Sequence, residues 1–253
     1  MDITSLGGPI FAFMMILLGM IAKGAADLIP QMFNLSAFLV VIGGAFGCLM
    51  VAYPMKDFIG SFKALGVWLK NPEADLQQIT DEIVDLAQVA RKESILALEK
   101  RRDSIKFGPL RTAVRLAVDG TDPSVIADML ETEAHIEHQE AEVFVKFWED
   151  FGAFAPTVGI LGAVIGLMKV MTVLDQPEKI GPGIAVAFVA TLYGVGSANI
   201  LALPIAKKLK RKAQLEGYAR EIVTIGIDGI LTGMNPNVIK EKLGVFTGGH
   251  GEE

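Results

Sequence analysis

The stretch FAPTVGILGAVIGL, residues 154–167, decides the fold: apart from one threonine it is apolar throughout, yet it carries a proline and three glycines. In water Gly and Pro weaken a helix interior. In a bilayer the backbone has to satisfy its own hydrogen bonds, so an apolar run becomes a helix anyway and its small residues become packing surfaces. The rest of the chain points to the bilayer. Of its 253 residues 51% are hydrophobic, the mean hydropathy is +0.45, and apolar runs occupy 5–22, 35–53, 151–174 and 182–206. Each is close to the ~20 residues that cross a bilayer as a helix. The start, Met1-Asp2, has no basic region of the signal-peptide kind, so the first run reads as a retained span. The expected fold class is all-α, a polytopic membrane protein with four transmembrane helices and a helical cytoplasmic insert.

Charges on the short flanks set the orientation. Lys56, Lys63 and Lys70 follow the second run and Lys207, Lys208, Lys210, Arg211 and Lys212 follow the fourth, whereas the other two connections carry one lysine each, Lys23 and Lys179. The middle segment, the tail and both termini are therefore expected in the cytoplasm. The chain divides into 1–33, a first span and outer loop; 34–53, a second span; 54–150, a cytoplasmic helical domain; 151–206, the third and fourth spans; and 207–253, a cytoplasmic tail. Cys48, the single cysteine, excludes an intrachain disulfide and reads as a small hydrophobe. A net charge of −6, with acids concentrated in the middle segment, argues against nucleic acid as a partner.

Within the insert, Asn71-Pro72 reads as a cap and first helical position, and Ile79, Ile83, Leu86 and Ala90 recur on one face, predicting a helix to about Arg102. A second helix is expected over 105–118, stopping at Asp119-Gly120. A third restarts at Asp122-Pro123 and runs without a break into the third span. The tail holds an amphipathic stretch at 215–231 that ends near Gly233 to Pro236, and 247–253 is expected to fray.

No phosphate-binding loop, G-x-S-x-G or C-x-x-C sequence is present, nor an acid and base sharing a polar setting, so the chain does not read as an enzyme. His135 and His138, near Glu131 and Glu142, fit a solvated helix face better than a metal site. None of the four runs contains Asp or Glu. A protein that moves ions through a membrane normally places a carboxylate in mid-span, so an ion-carrying carboxylate has to come from another chain. The spans contain small residues at four-residue spacing instead: Gly43 and Gly47, Gly162 and Gly166, Gly194 and Ala198. These suit close helix packing, between subunits or within one bundle. Pro156 and Pro204 each lie at the cytoplasmic end of a span and lack the N–H that would bond the carbonyls of Gly152 and Ile200. Such carbonyls need water, a hydroxyl or another helix, which suits the mouth of an ion path, a hinge or a simple kink. Thr157, Thr191, Tyr193, Ser197 and Asn199 add polar groups to the last two spans, which makes the second hairpin the functional one.

ARKESILALE at 90–99, LAVDG at 116–120, APTVGILGAVIGL at 155–167, and ATLYG and LALPIAKKL within 190–209 together resemble the flagellar stator A subunits, MotA and PomA. Four spans distinguish this pattern from the three-span ExbB and TolQ relatives, whose role as energisers of an outer-membrane system is the rival reading, beside a purely structural scaffold. The resemblance implies a bacterial inner-membrane protein that forms a homopentamer around a MotB or PomB type B subunit, whose aspartate carries the ion. It implies that Thr191 is a pore threonine, that Pro156 and Pro204 sit at the inner mouth, and that Arg91 and Glu99 face the rotor protein FliG. No cofactor is implied. Each elementary charge that crosses supplies about 2.3 kcal/mol per 100 mV.

On a continuous helix Lys92 and Glu99, seven apart, lie nearly above one another with Arg91 alongside; a solvated face is the alternative reading of the same spacing. Basic residues at 100–102 leave open which charges dominate. Sodium-type relatives resemble one another in placing threonine where this chain has Ala163 and a Thr-Thr pair where it has Ala190-Thr191. Two oxygens that could replace sodium's hydration are thus missing, and the ion is expected to be a proton in preference to sodium.

Overall fold

The computed structural model describes residues 2–70 and 75–248. Among them every regular element is helical. The chain forms two compact units, one of Met1–Asn71 with Glu142–Lys210, the other of Pro72–Ala141 with Arg211–Glu253. The expected cytoplasmic segment 54–150 is thus shared between the units, as is the tail from 207.

The first unit holds α1 (Ile3–Ala22) and α2 (Leu35–Ala52), both long and apolar enough to span a membrane. Asp2 caps α1 by accepting from the Thr4 N–H at 3.1 Å, and Asn34 caps α2 by accepting from that of Ala37 at 2.9 Å. Extended Tyr53 ends α2, and after Pro54 the chain turns at once into α3 (Met55–Leu69). The core beneath is aromatic: Phe46, Phe58, Phe62, Phe147, Trp148 and Phe151 stack in a chain of tilted and edge-on contacts. Phe147 is fully buried, and each such ring contributes roughly 1.5–3 kcal/mol.

In the second unit α4 (Leu76–Lys92) starts after Asp75, whose side chain accepts from Gln77 and Gln78; the expected cap at Asn71-Pro72 lies outside the described residues. The helix does not reach Arg102. It ends at Lys92, Ser94 is extended, and Ile95–Ser104 is a 3-10 segment. A straight helix would carry Leu98 about 18 Å past Leu86, whereas folding back puts Leu98 and Ile105 into one core with Ile83, Leu86, Leu110 and Ile126. The next helix, α5 (Gly108–Val118), begins later than expected because Ile105 is extended and Pro109 takes the first turn. It stops where the sequence indicated: Gly120 has φ +75, and the N–H of Thr121 returns to Leu116 at 3.1 Å.

Asp122 accepts from the Ser124 N–H at 2.9 Å at the start of α6 (Pro123–Met171), which is continuous into the third span as expected. The fourth span belongs to α7 (Pro177–Leu231), closed by Gly233 at φ +70 and a bond from Met234 N–H to Gly229. A last helix, α8 (Pro236–Gly244), is capped by Asn235 and was not foreseen. Of the stretch 247–253 expected to fray, Thr247 ends a short 3-10 turn that begins at Val245, and residues 249–253 lie outside the described residues. In the second unit Gly226 admits Ile83, since a Cβ there would lie 2.5 Å from its Cγ2.

Candidate functional site

The site grows from the antiparallel seam between the third and fourth spans. A Cβ placed on Gly194 would lie 2.6 Å from the Ala155 carbonyl oxygen and 3.1 Å from the Cα atoms of Gly159 and Pro156. The same test puts Gly162 3.0 Å from Ala190 Cβ, Gly166 3.0 Å from Ala187 Cβ and Gly152 2.6 Å from Leu203 Cδ2. At Gly194 and Gly166 a side chain would meet main chain, while at Gly162 it would meet the Ala190 methyl and at Gly152 the Leu203 side chain, so small residues are what let the spans approach this closely. Of the small-residue pairs, Gly162, Gly166 and Gly194 are consumed within the chain. Gly43 and Gly47 are different: nothing lies within 4 Å of a Cβ at either.

This seam gathers several expected residues. Pro156 packs at Gly194. Ala190 is only 1% exposed, so it fills the seam, while Ala163 and Thr191 are half-buried and Thr157 is exposed. Thr157 Oγ1 donates to the Phe154 carbonyl at 2.8 Å and Thr191 Oγ1 reaches the Ala187 carbonyl at 3.4 Å. Tyr193 lies elsewhere: its hydroxyl donates to the Met32 carbonyl and accepts from the Asn34 N–H at 3.1 Å. That clamps the loop before α2 onto the fourth span.

Before Pro204 the helix widens. Residues Ser197–Ala202 form a π-turn, and the Leu203 N–H donates to Ala198, five residues back. The carbonyl of Asn199, the ordinary partner of that N–H, is passed over, and Pro204 has no N–H to offer it or Ile200. Asn199 therefore joins Ile200 as a carbonyl that loses its ordinary helical partner, where only Ile200 was expected. One turn beyond, Lys208 Nζ donates to Thr4 Oγ1 at 2.8 Å and Ser5 Oγ at 2.7 Å and pairs with the Asp2 carboxylate at 2.6 Å. Lys208 and then Thr4 hold the Asp2 carboxyl down at about 2. At the end of the second span the Tyr53 hydroxyl donates to Asp150 at 2.7 Å. Sequence reasoning missed the Lys208 knot because its members are more than 200 residues apart.

In the second unit Arg91, Lys92 and Glu99 are exposed. Lys92 closes α4 while Glu99 belongs to the 3-10 segment, so the expected alignment on one helix does not exist. Glu99 instead pairs with Arg102 at 2.7 Å. Among the described residues Arg91, Lys92, Lys100 and Arg101 make no ion pair, which leaves this surface basic. No cluster of His, Cys, Asp and Glu among the described residues could hold a metal.

Four spans, a glycine-tight second hairpin and a helix interrupted before Pro204 define a polytopic helical membrane protein. Residues 101–221 match the MotA/TolQ/ExbB proton channel family. The chain is 34% identical to Motility protein A of Bacillus subtilis (96% of this chain, 90% of that one) and 33% to that of Aquifex aeolicus (98% and 97%). It is 30% identical to chemotaxis protein PomA of Vibrio alginolyticus (96% and 94%). Among solved structures it superposes on C. jejuni MotAB with a TM-score of 0.91 at 31% identity, covering 97% and 96% of the two chains. On the Bacillus subtilis flagellar MotAB stator complex the TM-score is 0.87 at 33% identity, with 95% and 94% covered. The chain belongs to the Motility protein A family, the A subunits of the flagellar stator, and is a membrane protein of that motor.

Proposed function

We propose that this stator subunit sits in the bacterial inner membrane with both termini in the cytoplasm, and that five copies surround a B subunit of the MotB or PomB kind. The B subunit supplies the membrane carboxylate, the third and fourth spans line the ion's route, and the basic surface around Arg91 meets the rotor protein FliG. The observation that carries this reading is that the four apolar runs hold no Asp or Glu, while the seam between the third and fourth spans is tight and its backbone bonding is interrupted at Pro156 and before Pro204. Such a chain conducts only with a carboxylate from elsewhere. Proton use follows from the donor set: Ala190 is enclosed in the seam, Ala163 offers no oxygen, the Tyr193 and Ser197 hydroxyls turn to the Met32 and Gly194 carbonyls, and Thr157 and Thr191 serve as the relay hydroxyls. Sodium would need more oxygens at close range.

Deleting the gene should leave cells flagellated but paralysed. In cells powered by this stator alone, swimming speed at fixed pH and membrane potential should be unchanged when potassium replaces sodium. Speed that tracks sodium and survives a protonophore would overturn the proton assignment, and normal swimming without the gene in a strain with no other stator would overturn the function.

A further inference from the structure

Helix α3 is held at both ends by the bases of spans. Two residues, Tyr53 and Pro54, separate its first residue from the end of α2. At its other end the Asp2 N–H donates to the Leu69 carbonyl at 2.9 Å, and Ser5 Oγ donates to the Trp68 carbonyl at 2.9 Å. A 15-residue helix is about 22 Å long. Tied at each end to the base of a span, it lies along the membrane face instead of crossing it.

Its two sides differ. The inner side carries Ser61 and Ala64, both buried, with Asp57, Phe58, Leu65 and Trp68 half-buried beside them. Trp148 Nε1 donates to the Ser61 carbonyl at 3.2 Å, and a Cβ at Gly60 would come within 2.7 Å of the Phe144 ring. The outer side exposes Met55, Ile59, Phe62 and Val67. Beside this apolar strip Lys56 and Lys63 are exposed, seven residues apart and thus nearly in line, with Lys70 next in register. Asp57, the only acid of α3, is on the inner side.

We propose that this outer face docks anionic phospholipid headgroups of the leaflet into which α1 and α2 open, Lys56 and Lys63 meeting phosphates while Met55 and Ile59 enter the acyl boundary and Phe62, stacked on Phe147 and Trp148, edges the strip. Charge complementarity selects the occupant, because a lysine row beside an apolar row fits an anionic interface and leaves zwitterionic lipid without a countercharge. Continuity with the spans puts the face at the required depth. The inference rests on the membrane reading of α1 and α2 and not on the ion or the rotor.

A tryptophan placed on the exposed face by Ile59→Trp reports on it, read as the difference from the parent chain, because the chain's own Trp68 and Trp148 lie on the inner side of α3. The full-length chain is reconstituted in phosphatidylcholine vesicles containing phosphatidylglycerol, with acyl chains brominated on one lipid or the other, and tryptophan quenching gives the relative association of the two. At low salt phosphatidylglycerol should be favoured by about fivefold per lysine, falling as salt is raised to about 0.5 M. Lys56→Gln with Lys63→Gln should abolish the preference while quenching by phosphatidylcholine persists, and the double arginine variant should retain it. Equal quenching by the two lipids with both lysines in place, or a preference unchanged in the double glutamine variant, overturns the proposal. Shielding from both lipids in a chain that still floats with the vesicles would assign the face to a second copy and also overturn it. A chain that does not float would instead refute the membrane reading.

Discussion

Replacing Gly194 by alanine tests the seam on which the ion path depends. The new methyl would meet Ala155 O at 2.6 Å and the Cα atoms of Gly159 and Pro156 at 3.1 Å. Ordinary contact begins near 3.4 Å, so the third and fourth spans must part by up to about 0.8 Å. The obstructing atoms are main chain, and no rotamer change relieves them. A gap of that size forfeits about a quarter to a half of each contact along the seam, including Gly162 against Ala190 and Gly166 against Ala187. The expected net loss is about 1–3 kcal/mol, the range for overpacking, after the smaller gain of alanine over glycine in a helix. Reversible unfolding of the purified chain in mixed micelles measures it. Gly43→Ala, at a position with nothing within 4 Å, is the control and should not destabilise the isolated chain. Equal stability of the Gly194 and Gly43 variants would refute the reasoning.

Arg220 is almost buried and meets Glu137, with Glu133 and Glu216 within 4 Å. Because Glu133 and Glu137 are half-exposed, Arg220→Met should cost about 1–3 kcal/mol and not the 3–5 of a fully buried pair, read as faster hydrogen exchange over residues 211–231. For Asp2 the folded pKa is depressed from 3.8 to about 2, so its contribution is complete above about pH 4 and is lost as pH falls toward 2; Asp2→Asn should flatten that part of the acid unfolding profile. Arg91→Glu or Arg101→Glu should lower torque more than Glu99→Gln, with assembly intact by size exclusion, since Glu99 is already paired with Arg102. Pro156→Ala and Pro204→Ala restore a donor N–H and should reduce torque at high load with expression unchanged.

Four spans, the continuous helix from Pro123 and the stops at Gly120 and Gly233 were legible because each rests on a local signal: an apolar run, a cap, a glycine at positive φ. Breaks set by the tertiary core were not. Nothing near Glu93 and Ser94 announces the end of α4, since helical periodicity continues to Ala90 and the cause is the demand of Leu98 and Ile105 for the same core as Ile83 and Leu86. Site residues divide in the same way. Pro156 and Pro204 were legible from covalent chemistry, but the π-turn that takes the ordinary partner from Asn199 appears only where Leu203 is seen to bond Ala198. Tyr193 was legible as a polar group of the fourth span but its partners were not, because Met32 and Asn34 belong to a distant loop. The glycine pairs left packing within or between chains open, and that question needed the distances that separate Gly162, Gly166 and Gly194 from Gly43 and Gly47.

On the proposed reading, the seam also determines how the two hydroxyls could serve an ion carried by another chain. Thr157 commits its proton to Phe154 at 2.8 Å, a full-strength bond. It can therefore present only lone pairs outward, which accept from a protonated carboxylic acid but give nothing to a carboxylate. Thr191 reaches Ala187 at 3.4 Å, a weak bond that a small rotation gives up, so it can accept from the acid or donate to the carboxylate. The two protonation states of the partner's acid then favour different positions along the seam, and a carrier held by Thr191 in both states but by Thr157 in only one is biased to move as it gains or loses its proton. A rigid seam is a condition of that bias. If the spans could part easily, water would supply donor and acceptor alike at both positions and the difference would vanish, which is why glycines that look like defects in FAPTVGILGAVIGL are required where main chain meets main chain.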